Sequence, residues 1–441
     1  MSTAQLDRAA PAPGPAPGGV LHRVRGMRHT SPGRLRLFLA TLLTLGLLSG
    51  LVAGLTAASA RGGTEDLGDR AQPLLVEAET IYSALADADT TAAQAFLAGG
   101  LEPAELSRRY DADLERATTA LTSAARRTPA QGPAAEAIRT LSAGIPRYAA
   151  LVASARANNR QGLPVGAAYL SEASRLSRES LQPNAQVLFS SAQAEVDAGY
   201  AEARSSWWTA LLGVLLLALL VTLVLAQRHL SRTTRRTFNL PLLAATGVAL
   251  LLAVTAAVVL SGQRAHLSEA AGDGSEPVAL LAEARIYALR ERGDDALTLV
   301  ARQGSPAPGK DPYEADSRQL TQLLAAADRA TDGGPAGAAV DSAARHRAAW
   351  EKAHTQIRAL DEGGRYDEAV DLAIGAATTQ TFTAFTGDLG RALEDRKAAF
   401  TDEIGDAGRG LGLLTALGPL LALALCALAA AGLRARLEEY R

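Results

Sequence analysis

The sequence predicts an all-α membrane protein, and three observations carry that prediction. Four stretches of about 20 residues or more contain no charged side chain, the length that ~30 Å of hydrocarbon demands of a helix. Two long segments between them are cut by Gly and Pro into helix-length pieces. Those two segments also resemble each other at a spacing of about 203 residues, close to half of a 441-residue chain. The full expectation is four transmembrane helices carrying two duplicated extracytoplasmic four-helix bundles of up-down-up-down order.

The apolar stretches are Leu37–Ala60, Ser205–Gln227, Thr237–Gln263 and Gly410–Leu433. They divide the chain into a basic tail over 1–36, a first span over 37–60, a first outer segment over 61–205 and a second span over 206–227. A basic loop over 228–238 and a third span over 239–262 follow. A second outer segment over 263–409, a fourth span over 410–433 and a short tail over 434–441 complete the chain.

Orientation is read from the basic flanks, since Lys and Arg are retained on the cytoplasmic side. The two tails and the short loop together hold thirteen basic and three acidic residues. The segment 61–205 holds 14 basic and 18 acidic, and the segment 262–409 holds 17 and 25. Both termini and the loop are therefore expected in the cytoplasm of a multi-pass plasma-membrane protein, with both large segments outside. Arg34, Arg36, Arg228, Arg232, Arg235 and Arg236 flank the spans and are expected to contact lipid headgroups. Ala58-Ser59-Ala60 fits a signal-peptidase site, but the 24-residue apolar run is long for a signal peptide, so an uncleaved anchor is expected. The Pro-rich start AAPAPGPAPGG cannot pack a core and reads as a disordered tail.

Each outer segment carries three helix breaks: GGLEP (99–103), TPAQGP (128–133) and QGLP (161–164) in the first, QGSPAPGKDP (303–312), DGGP (332–335) and EGG (362–364) in the second. Three breaks leave four helices. Leu74, Leu75, Ala78, Ile81, Tyr82 and Leu85 recur at helical spacing and mark one apolar face. The repeat is visible where Ile81-Tyr82 aligns with Ile286-Tyr287, Tyr110 with Tyr313, Asp113 with Asp316 and Arg156 with Arg358. Duplication accounts for matching order, spacing and identity together.

The chemistry of enzymes is missing from the sequence. It has no Gly-rich phosphate loop, HExxH, G-x-S-x-G or kinase signature, and its six His lack the i, i+4 zinc spacing. A single Cys426 excludes a disulfide framework within one chain. No catalytic residue, cofactor, metal or nucleic-acid partner is expected. The spans carry no charge of the kind that marks a conduction path. Asp87/Asp89 and Asp294/Asp295 read as solvated surface or helix capping. The repeated residues Tyr82, Tyr110, Asp113, Arg156, Tyr287, Tyr313, Asp316 and Arg358 are the candidates for ligand or partner binding. Core packing of the Tyr rings and solvation of the Arg heads are the plainer alternatives.

Two spans around a four-helix bundle resemble the sensor half of methyl-accepting chemotaxis receptors, although no signalling helix pair follows here. A nearer resemblance covers nearly the whole chain, although the second outer segment has AVDLAIGAATTQTFTAF where a copy of its motif would fall. The stretch AAYLSEASRLSRESLQPNAQVL (167–188) is similar to one in the actinobacterial four-span proteins of the GlnX-like family, encoded beside a glutamine-binding lipoprotein and protein kinase G. The resemblance implies a non-enzymatic sensor. It would receive a nutrient signal, such as an amino acid, directly or through an extracytoplasmic solute-binding lipoprotein. It would pass that signal to a cytoplasmic Ser/Thr protein kinase. A structural cell-envelope scaffold and an accessory subunit of a transporter are the other readings, and a homo-oligomer is compatible with all three.

Overall fold

The structure is a computed structural model that describes residues 31–99, 102–204, 207–234, 239–301, 312–331 and 333–438. The Pro-rich start, Arg235, Arg236 and most of the 303–312 break lie outside the described residues, as does the side chain of Arg232. The described residues are helical, with no strand among them. The helices are α1 (Ser31–Asp66), α2 (Gln72–Leu97), α3 (Ala104–Arg127), α4 (Pro133–Arg160), α5 (Val165–Leu176), α6 (Gln182–Arg204) and α7 (Trp207–Thr234). They continue as α8 (Leu240–Glu269), α9 (Glu276–Ala301), α10 (Pro312–Ala330), α11 (Gly334–Glu362), α12 (Tyr366–Ile374), α13 (Ala376–Gly408) and α14 (Leu411–Glu438). Short π-helical segments, Leu67–Ala71, Ser177–Leu181 and Ala270–Ser275, join α1 to α2, α5 to α6 and α8 to α9.

The chain divides into two compact units, and one comprises Met1–Ser59, Ser206–Leu260 and Gly410–Arg441. Four helices, containing α1, α7, α8 and α14, are long and apolar enough to cross a membrane. Leu51, Val214, Leu217, Val258 and Leu420 are exposed on this unit, an arrangement suited to a lipid solvent rather than water. Within it, α1 meets α14 through glycine. A Cβ on Gly46 would stand 2.7 Å from Cys426 Sγ, and one on Gly50 would overlap Ala422. Gly46, Gly50 and Gly54 form a G-x-x-x-G-x-x-x-G row, the spacing that lets membrane helices approach closely. Polar side chains join the remaining helices: Gln227 Nε2 donates to Thr246 Oγ1 at 2.9 Å, and Asn239 Nδ2 to the Gly432 carbonyl at 3.0 Å. Arg34, Arg36 and Arg228 are exposed at the ends of these helices.

The second unit comprises Ala60–Ser205 and Ser261–Arg409, so both long segments pack together as one body. In the first segment α2 packs on α3 and α6, and α4 packs on α5 and α6. In the second, α9 packs on α10 and α13, and α11 packs on α13. The segments join where α2 lies against α9. Gly and Pro end the helices as their chemistry requires. Gly162 (φ 67°) and Gly364 (φ 73°) adopt the left-handed conformation two residues past α4 and α11. The next amide then reaches back, Leu163 N to Asn158 O at 3.0 Å and Arg365 N to Leu360 O at 2.8 Å, which satisfies a terminal carbonyl. One further break, at Gly375, separates α12 from α13; the first segment passes the corresponding point through the π-helical segment Ser177–Leu181 instead.

The position of α2 and α9 explains their sequences. Each is enclosed by neighbours of its own segment and by the other. Every residue from Ile81 to Ala93 is buried, which small side chains permit: this stretch of α2 is YSALADADTTA between Ile81 and Ala93. Gly293 keeps the crossing close, since a Cβ there would stand 3.1 Å from Arg178 Nη2 and 3.4 Å from Thr90 Oγ1. Thr90 Oγ1 donates across the same seam to the Leu289 carbonyl at 3.0 Å. Trp350, Tyr148, Phe385 and Phe400 are the largest fully buried side chains and fill the flanks.

Candidate ligand-binding cleft

The seam between α2 and α9 is polar. Glu79, Asp87 and Asp89 on α2 and Glu291, Arg292, Asp294 and Asp295 on α9 are all buried. The expectation that Asp87/Asp89 and Asp294/Asp295 are solvated or cap helix ends is therefore overturned. They lie in the interior of their helices, and neighbours on every side remove them from water. A buried carboxylate is tolerated only when paired or neutralised, and each has a distinct arrangement.

Asp87, 2% exposed, is shared by three arginines. Arg285 Nη2 donates to its Oδ2 at 2.7 Å, Arg109 Nη2 lies 3.4 Å from Oδ1, and Arg116 Nη2 lies 3.9 Å from Oδ2. Arg116 also pairs with Asp113, one turn away on α3. Asp113 is 1% exposed, and burial, reinforced by the nearby Asp87 charge, pushes its carboxyl up to about 6. Asp89 accepts from Ser174 Oγ at 2.9 Å and from Tyr148 Oη at 3.3 Å. Arg178 stands 3.7 Å from Asp89 and pairs directly with Asp294, so one guanidinium ties α2 to α9. Burial raises the Asp89 carboxyl and pushes that of Asp294 up to about 6.

Further along α9 the solution differs. Glu291, 0% exposed, faces Arg347 Nη2 at 3.6 Å, and burial pushes its carboxyl up to about 7. Asp295 accepts from His354 Nδ1 at 2.8 Å. Arg292 has its guanidinium 4.9 Å from the Phe382 ring centre and 5.2 Å from that of Trp350. It donates to neutral acceptors, Thr379 Oγ1 at 3.2 Å and the Ala373 carbonyl at 3.4 Å. Burial pulls this guanidinium down to about 10.

A cleft of about 850 Å³ opens beside Asp87. Its charged lining comes from Glu79 on α2, Arg109 and Arg116 on α3, Arg285 on α9, and Arg391, Glu394, Asp395 and Lys397 on α13. Both segments therefore contribute walls. The size falls in the range of small-molecule sites. His266, Glu269 and Glu403 form a separate, half-buried group close enough to share a cation, with His266 Nδ1 2.8 Å from Glu403 Oε2. Hydrogen bonding accounts for that contact.

The repeated residues fall into three places. Tyr82 is buried and accepts from Arg290 Nη2 at 2.8 Å; burial pushes its phenol up to about 12. Arg290 also lies 5.3 Å from the Tyr287 ring centre, and its charge acts on Asp316. Tyr110 is buried beneath the Arg156 guanidinium at 4.2 Å and leans on Tyr148, while Arg156 Nη2 stands 2.9 Å from Glu102. Asp113 sits a turn further along that face. Tyr313 stacks on His354 with ring centres 3.5 Å apart, and the half-buried Arg358 carries its charge toward Asp295. None of the eight lines the cleft; Asp113 reaches it through Arg116. The repeat does not mark the arginines that do line it, because the positions aligned with them are not arginine: Arg116 aligns with Gln319.

The class these features define is a helical protein with four candidate membrane-spanning helices and a large polar helical unit containing a basic cleft. Residues 63–201 match the family model of the actinobacterial sensor domain. The match covers under a third of the chain, is a likeness of that segment, and supports a sensory or signalling role. No curated protein matches the chain.

Proposed function

We propose that this protein is a non-enzymatic membrane sensor. Its two long segments are duplicated four-helix bundles on the outer side of the plasma membrane. They receive a nutrient signal, from an amino acid directly or through a solute-binding lipoprotein, and pass it to a cytoplasmic partner such as a protein kinase. The match of residues 63–201 to a sensor domain carries the reading. The bias of basic residues toward the tails and short loop supports the orientation. Duplication is supported by the recurring order of helix neighbours, by the π-helical segments at 67–71 and 270–275, and by the matched glycines Gly162 and Gly364.

Because α2 and α9 share one polar seam, a ligand that favoured one arrangement of the seam would act on both segments at once. A ligand shifts such an equilibrium only through contacts that differ between its two states. Hydrogen exchange on the full chain in lipid nanodiscs tests the proposal. An amino-acid mixture, or the solute-binding lipoproteins of the same membrane, should slow exchange in α2–α6 and α9–α13. Exchange unchanged by either would count against it.

A further inference from the structure

We propose that the cleft between α2, α3, α9 and α13 binds a small anion bearing a carboxylate or phosphate group, with Arg109, Arg116 and Arg391 as its direct ligands. The proposal rests on the sensor reading and names the chemistry of its signal.

Several charges in the cleft are already committed. Lys397 Nζ lies 2.8 Å from Glu79 and 3.1 Å from Glu394, so it is held between two carboxylates. Asp395 pairs with Arg396 at 2.7 Å. Four guanidiniums remain: Arg109, Arg116, Arg285 and Arg391. The carboxylates that face them are Asp87, Asp113 and Asp388, and all three are buried beneath the cleft surface. The side chains of Arg109, Arg116 and Arg391 are 40%, 49% and 70% exposed. Around these arginines the carboxylates lie below and the guanidiniums above, which turns a cationic face toward solvent; the exposed Glu394 stands beside it, bonded to Lys397.

The pairing of that face is also incomplete. Asp87 makes one short bond, to Arg285 at 2.7 Å, while Arg109 and Arg116 reach it only at 3.4 and 3.9 Å. Asp388 is shared by Arg391 and by His346 Nδ1 at 2.7 Å. A guanidinium carries five N–H donors in a planar fork, so each of these arginines keeps donors for a second oxyanion. Planar forks match carboxylate and phosphate oxygens in pairs. Arg285 and Asp87 position Arg109 and Arg116, and Asp388 positions Arg391; these are positioning residues. Across the cleft, Gly387 and Gly390 on α13 leave open space, since a Cβ on either meets nothing within 4 Å. An anion seated there would touch α3 of the first segment and α13 of the second.

The test is thermal stabilisation and isothermal titration of the full-length protein in nanodiscs, with succinate and inorganic phosphate as separate probes. Sodium chloride at matched ionic strength is the reference. Saturable binding of at least one probe above the chloride reference is expected, and the better probe identifies the oxyanion class. Arg109→Gln with Arg116→Gln should weaken that binding at least tenfold. Gly390→Leu should weaken it comparably by filling the cleft with all charges intact, and Arg139→Gln, on an exposed pair elsewhere, should leave it unchanged. Stabilisation no greater than with chloride would overturn the proposal, as would binding that survives both the double Arg variant and Gly390→Leu. Either failure leaves the sensor reading to its own test, because a lipoprotein-borne signal would still slow exchange in the outer helices.

Discussion

Asp87 and Arg292 fall at one position when α2 and α9 are aligned, and they carry opposite charges. With Ile81-Tyr82 laid on Ile286-Tyr287, position 87 of α2 falls on position 292 of α9. In the first segment a buried carboxylate gathers three arginines at the edge of an open cleft. In the second a buried arginine is enclosed by Trp350 and Phe382 and donates to neutral oxygens. The lesson is that two segments with the same order of helix neighbours differ where charge is concerned. At this position α2 turns a carboxylate toward an ionic cleft that both segments wall, and α9 keeps its cation inside as packing.

The comparison can be broken at its shared point. Arg178 is the guanidinium that serves Asp89 of α2 and Asp294 of α9 together. Arg178→Leu leaves two buried carboxylates without the cation they share and should cost about 3–5 kcal/mol in chemical denaturation. A cost below about 1 kcal/mol would mean that the seam does not hold the segments together. Asp87→Leu is next. It leaves Arg285 short of its nearest partner, but Arg109 and Arg116 are half in water, so a loss on the order of 2 kcal/mol is expected.

A pH series sharpens the contrast further along α9. The Glu291 carboxyl is raised from 4.5 to about 7 in the folded protein, chiefly by burial. The folded state then holds this proton more tightly than the unfolded chain. Its contribution to stability is complete below about pH 4.5 and is lost as pH rises to about 7. Glu291→Gln should therefore gain on the parent protein between pH 5 and 8, by on the order of 2 kcal/mol. A difference that stayed flat with pH would show that Arg347 keeps Glu291 ionised throughout. The smallest effect belongs to Arg292→Leu. A cation that makes no direct carboxylate bond among the described residues, feels Asp295 only through its charge and packs on two aromatic rings is replaceable by an apolar side chain, and the change should stay within about 1 kcal/mol. A loss as large as that of Asp87→Leu would erase the distinction between the two positions.

Much of the architecture was legible in the sequence because its signals are local. An uncharged run of 20 residues states its own length. Gly162 and Gly364 end helices by virtue of a conformation that other residues resist. The row Gly46, Gly50, Gly54 is equally readable, since its spacing alone points to a close partner helix. The seam was not legible. ALADADTTAA reads as a helix of mixed polarity, and nothing in it says that neighbours cover every face. The burial of Asp87 and Asp294 is a property of α3, α6, α10 and α13 as much as of their own helices. The cleft was hidden for a similar reason. Arg109 and Arg116 look like the polar face of an amphipathic helix until α9 and α13 are set opposite them.

The central claim is that events at the outer helices change what the protein engages inside the cell. Crosslinking the protein in its native membrane, with and without an added amino-acid supply, and identifying what each face captures, tests it most directly. The account predicts a solute-binding protein outside and a protein kinase inside, with at least one capture changing with the supply. Capture of the same envelope or cell-wall proteins under both conditions would contradict it and make the protein a scaffold.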